Sequence, residues 1–399
     1  MANLEQWYNK LNQLYVNNEH HYADIFRQIH QNPELSGEEK ETSAFLKKMI
    51  TSQANMSVLT EVKNGFTAGY PNLKKPNLCL RADLDALPIQ EMTTLPYISI
   101  KPGVMHACGH DFHSTAVYAV AHMWDQAVGL FPKAPVFLFQ HSEETIPGGA
   151  LDFIEKQVHE DISEFYGLHV EPNLRTGAIS LVDGWVTARS IKFEATLSGK
   201  GGHSARPWES DDPLKTSLDI IQYLYSNIPR RSDIQTPVVF TITQFNTGKN
   251  PYNAVPEKVA WAGTLRVADE KVGDQTIAKI KETIAFFAKR KNLDHHFEFT
   301  AGAPPVTNSE LGIAAAAEVK SYLKTKGFDF SVYRSLGGDD FGWFSHLRPG
   351  FFIRVGITPP DEKPIPLHQS EFKVDFQALK PAIIFYLLFF IQKAGLIEE

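Results

Sequence analysis

Nine consecutive residues, Met105-His106-Ala107-Cys108-Gly109-His110-Asp111-Phe112-His113, hold three histidines, a cysteine and an aspartate. The chain has two cysteines, Cys79 and Cys108, and one of them sits among histidines. A single glycine separates Cys108 from His110, so both side chains can turn toward one ion. A thiolate beside an imidazole suits a borderline-soft divalent metal such as zinc. A buried cysteine among polar loop histidines would read the same way, so the remaining groups must decide.

Four further groups stand at the ends of apolar runs. Glu143-Glu144 follows Pro135-Val136-Phe137-Leu138-Phe139-Gln140, and adjacent carboxylates repel unless a cation or a proton compensates. A solvated surface pair is the bland alternative. His169 closes Glu164-Phe165-Tyr166-Gly167-Leu168-His169, where a satisfied core histidine competes. His368 follows Ile365-Pro366-Leu367, a rigid extended approach to a helix, and reads equally as a loop residue. His203 lies in Gly199-Lys200-Gly201-Gly202-His203-Ser204, which is otherwise a hairpin tip.

Elements must bring these groups together. Tyr22, Ile25, Phe26 and Ile29 recur at helical spacing until Asn32-Pro33 ends the run, and a second helix is predicted over Glu38–Ile50. Leu78–Asp83 reads as a buried strand that delivers Asp83 and Asp85, and Thr115–Trp124 as a helix after the Cys108 loop. Strands alternating with helices, with polar groups at strand ends, predict an α/β sheet with ligands at its carboxyl edge. The character changes near Arg189. Strands are expected at Ile191–Ser198, Val238–Phe245 and Lys258–Val267, with helices near Pro213–Ser226 and Asp274–Lys289. The helix-then-strand rhythm returns through Phe351–Gly356 and a final helix. The expected organisation is a discontinuous main domain, 1–186 and 303–399, with an α+β domain inserted at 187–302.

Composition narrows the function. With 399 residues the chain has room for two domains at roughly 150 residues each. The net charge of −7 comes without a basic cluster beyond Lys289-Arg290-Lys291, which argues against nucleic acid as a partner. The longest apolar stretch, Ala382–Ile391, is short for a membrane span and fits a buried helix. The first residues lack the basic and apolar pattern of a secretion signal, and two distant cysteines make no disulfide framework. A reducing cytoplasm is the expected compartment.

Taken together, the motifs resemble the metallopeptidase family of aminoacylases, hippurate hydrolases and auxin-conjugate amidohydrolases. The resemblance runs through Arg27, His30-x-x-Pro33-Glu34, Arg81-Ala-Asp-Leu-Asp-Ala-Leu-Pro88 and Met105-His-Ala-Cys-Gly-His-Asp111. It continues through Glu143-Glu144, Gly167-Leu-His169, Gly-Gly-His203, Asn253-Ala-Val-Pro256 and Gly263-Thr-Leu-Arg266. Gly337-Gly-Asp-Asp-Phe341 and Leu367-His368 complete it. It implies a di-metal catalytic domain, with a mixed sheet flanked by helices, and a smaller lid or dimerisation domain.

The resemblance also implies roles. Cys108, His110, Glu144, His169 and His368 match ligands for two divalent metal ions, zinc or manganese. Glu143 matches the general acid/base and Asp83 a carboxylate that orients the site. Arg81 stands where related aminoacylases carry a metal-binding histidine. His203 matches a lid histidine that stabilises the transition state, supplied in dimeric relatives by the partner subunit. The implied reaction releases a carboxylic acid and a free amino acid from an N-acyl amino acid, with a homodimer through the lid possible. A dipeptidase or carboxypeptidase of the same fold is the alternative. A non-catalytic metal-dependent binding protein would have lost Glu143 or some ligands.

An aminoacylase must grip a free carboxylate, for which Asn253 and Arg266 are the candidate donors. A guanidinium can offer two parallel hydrogen bonds; a structural pairing of Arg266 with Asp269 is the competing reading. Two departures from the family pattern stand out. Thr145-Ile146-Pro147 intervenes before Gly148-Gly149, and Asp339-Asp340 replaces the commoner Glu-Asp.

Overall fold

The near-continuous apolar runs become strands buried on both faces, as a sheet covered by helices requires. In a computed structural model, which describes residues 3–73, 75–228 and 236–397, they are β3 (Asn77–Asp83), β4 (Val136–Gln140), β5 (Ile162–Arg175) and β16 (Gly350–Thr358). They lie in the order β4-β3-β5-β16, all parallel, so their carboxyl ends share one edge. β1 (Ser57–Val62) and β2 (Gly65–Gly69) continue the sheet beyond β4, with β2 antiparallel to it. The short β6 (Ile179–Ser180) and β15 (Phe330–Ser331) finish it beyond β16. A separate ladder joins β7 (Gly184–Trp185) to β14 (Thr307–Asn308).

This sheet belongs to a unit made of Met1–Val186, Thr307–Arg334 and Asp340–Glu399. Its helices are α1 (Leu4–Gln31), α2 (Lys40–Gln53), α3 (His110–Ala127), α4 (Ala150–Glu155), α7 (Glu310–Thr325), α8 (Gly342–Leu347) and α9 (Leu379–Ala394). α1 begins with a capping box between Asn3 and Gln6, which satisfies free N–H groups at the helix start. α3 is buried along nearly its whole length and packs between α1, α9 and the sheet. α9 is apolar all round, so it can only be stable inside. The span Phe376–Ala394 has the length and hydropathy of a membrane crossing, yet 67% of it is buried within this unit. Phe389 and Phe390 meet Tyr166 edge-on, and Phe351 packs against Phe385 and Phe389. Each such side chain, fully buried, contributes about 1.5–3 kcal/mol.

The second unit, Thr187–Val306 with Ser335–Asp339, is an antiparallel sheet in the order β10-β12-β8-β13. Its strands are β8 (Arg189–Ser198), β10 (Val238–Asn246), β12 (Lys258–Val267) and β13 (Asp294–Ala301). α5 (Pro213–Asn227) and α6 (Glu270–Arg290) pack on it around Phe193, Trp261, Ile220, Leu224 and Ile280. Of the apolar stripe on α5, Leu224 is buried and Leu214 and Ile221 join this core, but Leu218 is 53% exposed. A two-stranded ladder pairs β9 (Gly202–His203) with β11 (Ala254–Val255).

Three local readings need correction. α3 starts at His110 and not at Thr115, because its first turn buries polar residues that carry no apolar periodicity. β5 continues past His169 to Arg175, so this histidine lies within a strand. The segment Ser335–Asp339, assigned from sequence to the main domain, packs with the second unit, where Gly337 O accepts from Ala188 N–H at 2.9 Å.

Candidate metal centre

The motif residues converge at the carboxyl edge of the large sheet. Gly109 caps α3 with φ +82°, and a Cβ there would lie 2.5 Å from Val170 Cγ2. Only glycine allows that turn, which places Cys108 and His110 side by side. His110 Nδ1 donates to the Asp85 carbonyl at 2.8 Å, leaving Nε2 buried and without a hydrogen-bond partner. His169 Nδ1 donates to the Val170 carbonyl at 2.6 Å, which turns its Nε2 to within 3.4 Å of Cys108 Sγ. Glu144 is held by its N–H, which donates to Asp85 Oδ2 at 2.9 Å. Its Oε1 accepts no hydrogen bond and lies 3.2 Å from His368 Nε2 and 3.9 Å from His110 Nε2. His368 adopts a left-handed backbone with φ +62°, and its N–H donates to the Ala107 carbonyl at 2.8 Å. Such strain at a histidine persists only where the surroundings enforce it.

All five sequence-predicted ligands therefore meet. Cys108, His110 and His169 have ligand atoms within 4.8 Å of one another, and so do Cys108, Glu144 and His368. Cys108 is common to both triads. Buried nitrogens and oxygens left without hydrogen bonds are costly unless something else pairs them. One thiol, three imidazoles and a carboxylate, with Nδ1 of His110 and of His169 already tied to backbone carbonyls, fit a pair of divalent cations.

A layer of charged groups fixes this arrangement. Asp83 Oδ1 pairs with His113 Nδ1 and its Oδ2 with Arg81 Nη1, both at 2.7 Å. His113 Nε2 accepts from Val170 N–H at 2.9 Å, so that ring is spent on structure. Arg81 is wholly buried and also donates to Gln140 Oε1 at 2.9 Å and to Asp340 Oδ1 at 2.7 Å. Asp340 in turn accepts from Gln140 Nε2 and from Ala150 N–H, while its own N–H donates to Glu143 Oε1 at 3.3 Å. Glu143 and Glu144, at the end of β4, are thus oriented by different partners.

Protonation follows from these contacts. Burial and the Glu144 carboxylate hold the Cys108 thiol well above its usual range, so the thiolate forms only with a cation beside it. Burial alone would depress His110, but the Asp83 carboxylate beside it raises it overall. Burial, then His113 and Arg354, push His169 well below the usual imidazole range, which keeps it a neutral ligand. Asp83 stays ionised: burial opposes this, but His110, His113 and Arg81 outweigh it.

Sequence reasoning passed over several supporting residues. Asp85 was expected beside Asp83 at the end of a strand but was given no role, and for His113 and Asp340 proximity to the motifs was the only signal. His30 gave another signal by sitting in His-x-x-Pro-Glu. It is buried between Asp111 Oδ2 at 2.7 Å and Glu91 Oε1 at 3.3 Å. Burial lowers its pKa, but these carboxylates raise it to about 9. Ala86 N–H donates to the carbonyl of Glu34, the last residue of that motif, at 2.7 Å.

His203, Asn253 and Arg266 belong to the second unit. His203 pairs with Ala254 in the β9–β11 ladder, and the carbonyl of the neighbouring Asn253 accepts from Ser204 N–H at 2.9 Å, so these two share one exposed corner. Arg266 is half-buried on β12 opposite Ser190 and Val239. Asp269, its suggested structural partner, instead caps α6 by accepting from Val272 N–H at 2.8 Å. Among the described residues no carboxylate lies within ion-pairing distance of Arg266. Thr145-Ile146-Pro147 forms an exposed loop, after which Gly148 packs where a Cβ would lie 2.5 Å from Asp340 Oδ2.

Residues 79–392 match the profile of peptidase family M20/M25/M40. An N-acetylcysteine deacetylase of Bacillus subtilis is 32% identical over 89% of this chain and 92% of its own length. An N-acetyldiaminopimelate deacetylase of Enterococcus faecalis is 32% identical over 89% of this chain and 93% of its own. A further relative, from Rhodococcus jostii, extends well beyond the match, which takes in 44% of its length. The crystal structure of the Bacillus subtilis YXEP protein, described as a dinuclear metal binding peptidase from the M20 family, superposes with a TM-score of 0.81. It is 28% identical and covers 94% of this chain and 98% of that one.

Proposed function

The chain belongs to peptidase family M20/M25/M40, and on that premise we propose that it hydrolyses the amide bond of N-acyl amino acids. The observation that carries this reading is the shared thiol: two ligand triads meet at Cys108, with Glu143 beside them on the same loop as Glu144. Relatives named as deacetylases of N-acylated amino acids support the substrate class.

Cys108, His110, Glu144, His169 and His368 would hold the two cations. When bound, such a pair supplies Lewis acidity that polarises a carbonyl and makes water more acidic near neutral pH. Glu143, oriented by Asp340 N–H, takes a proton from the attacking water and passes it to the departing amine nitrogen. Asp83, through Arg81 and His113, keeps the surrounding rings in place. His203 donates to the oxygen on which negative charge develops. Arg266 and Asn253 hold the substrate carboxylate, a role supported by the lack of an ion-pair partner for Arg266 among the described residues. The unit that contains them serves as a lid over bound substrate and, in a homodimer, as the contact with a second copy. The cytoplasm is the proposed compartment.

A hydrolysis screen on metal-replete protein tests this. N-acetyl and N-benzoyl amino acids should be cleaved, and their carboxyl-amidated forms poorly. Preference for unblocked dipeptides would favour the dipeptidase reading, and efficient cleavage of the amides would point to a broader amidase.

A further inference from the structure

Arg354 and Glu171 have no place in the steps above, yet both are buried at the metal edge of the sheet, each 3% exposed. In the parallel β5–β16 ladder Arg354 is the partner of His169. Glu171 stands two residues after His169, and the period of a strand puts both side chains on one face. Arg354 Nη1 donates to Glu171 Oε2 at 3.2 Å. Glu171 Oε1 accepts from the Asn173 N–H at 3.0 Å and from its side-chain amide at 2.7 Å. Arg354 Nε is buried without a hydrogen-bond partner. A buried ion pair is a poor way to gain stability, since desolvation offsets the attraction. Its position beside a ligand asks for another account.

We propose that Glu171 and Arg354 form a charge pair that sets how tightly the His169 corner of the metal centre holds its cation. The proposal rests on the dinuclear reading of that centre. Two opposed effects are built into the pair. The guanidinium is a fixed positive charge one strand from a ligand, in an interior where neither water nor salt screens it well. It opposes a divalent ion held at His169, its neighbour across the β5–β16 ladder. Glu171 supplies the compensating negative charge. Because both its oxygens are already taken by Arg354 and Asn173, it acts through its field and does not swing round to become an extra ligand. Affinity is thereby held at an intermediate value that neither residue alone would give.

The signs make the proposal testable without any turnover measurement. Apparent dissociation constants for zinc and for manganese would be read by chelator competition on apo protein. Arg354→Met removes the repulsion and releases Glu171, so binding should tighten on the order of tenfold, the scale on which groups behind a ligand act. Glu171→Gln keeps the shape and one acceptor oxygen but removes the negative charge, which leaves the guanidinium uncompensated, so binding should weaken by a similar factor. The double variant should return close to wild type. A pair serving only as scaffolding would weaken binding in both single variants, and that result overturns the proposal. So does an unchanged affinity in Glu171→Gln, which decides alone should Arg354→Met not fold. A wild-type protein that binds no metal would instead overturn the dinuclear reading beneath it.

Discussion

The guanidinium of Arg81 lies 2.7 Å from Oδ1 of Asp340, a residue 259 positions further along the chain. The same side chain holds Asp83 at 2.7 Å, so one buried cation ties the orienting carboxylate of the site to the residue whose N–H meets Glu143. Removing one partner of a buried pair leaves an uncompensated charge and costs about 3–5 kcal/mol. Arg81→Met should therefore lower stability in chemical denaturation by that order, and Arg81→Lys should lose activity even where it folds, because an ammonium cannot reach three acceptors in a plane. Wild-type stability in Arg81→Met would show the network to be dispensable.

Metal removal should abolish hydrolysis, and zinc or manganese should restore it. Because Cys108 belongs to both triads, Cys108→Ser should lower metal content at both positions, read by elemental analysis after dialysis. Loss of a single equivalent would mean that the thiol serves one ion only.

The adjacent glutamates should separate cleanly. Glu143→Gln is expected to retain metal and lose roughly 10²–10⁴-fold or more in kcat, the scale of general acid–base catalysis. Glu144→Gln should shed metal instead. The reverse pattern in metal analysis would exchange the two assignments.

His203→Ala should lower kcat by about 10²–10³-fold with metal content intact, as removal of one oxyanion donor does. Mixing it with Glu143→Gln subunits would restore partial activity if the histidine acts across a dimer. Confirmed mixed dimers that stay inactive would assign His203 to its own subunit's reaction.

Stability should fall on the acid side through His122. Burial lowers its pKa to about 4, and it is held by Tyr22 Oη and Gln126 Nε2. A histidine depressed in the fold stabilises only above its ordinary value of about 6.5. Its contribution is complete at neutral pH and is lost as pH falls from about 6.5 toward 4. The drop in Tm over that interval should be shallower in His122→Gln than in wild type. Identical slopes would remove His122 as a contributor.

Much of this centre was legible in the sequence, because short-range spacing carries it. Cys108-Gly109-His110 and Glu143-Glu144 sit at the ends of apolar runs, and a parallel sheet gathers such ends at one edge. Long-range pairing was not legible. Nothing in Asp340 announces that it meets Arg81, and nothing in Arg354 announces that it stands beside His169. The start of α3 was missed for a related reason, since His110 and Asp111 are buried polar residues and apolar periodicity cannot see them. β13 was given no bounds because this edge strand is exposed at nearly every position, and Asp294, His295 and His296 dilute the apolar alternation. The role of Arg266 was equally open, and Asp269 took the helix cap instead.

The order of the strands governs when this protein can become itself during synthesis. β5 ends at Arg175, but its neighbour β16 begins only at Gly350, and His368 comes later still. At the roughly 5–20 residues per second of translation, that gap leaves the edge of β5 without its partner for on the order of ten seconds or more. The sheet of the second unit draws its strands from one uninterrupted stretch and can close in that interval. The nascent chain thus carries a bare, apolar β5 edge with Cys108 and His169 already made but no completed centre. That edge is where a chaperone would be needed, and where truncated products would aggregate.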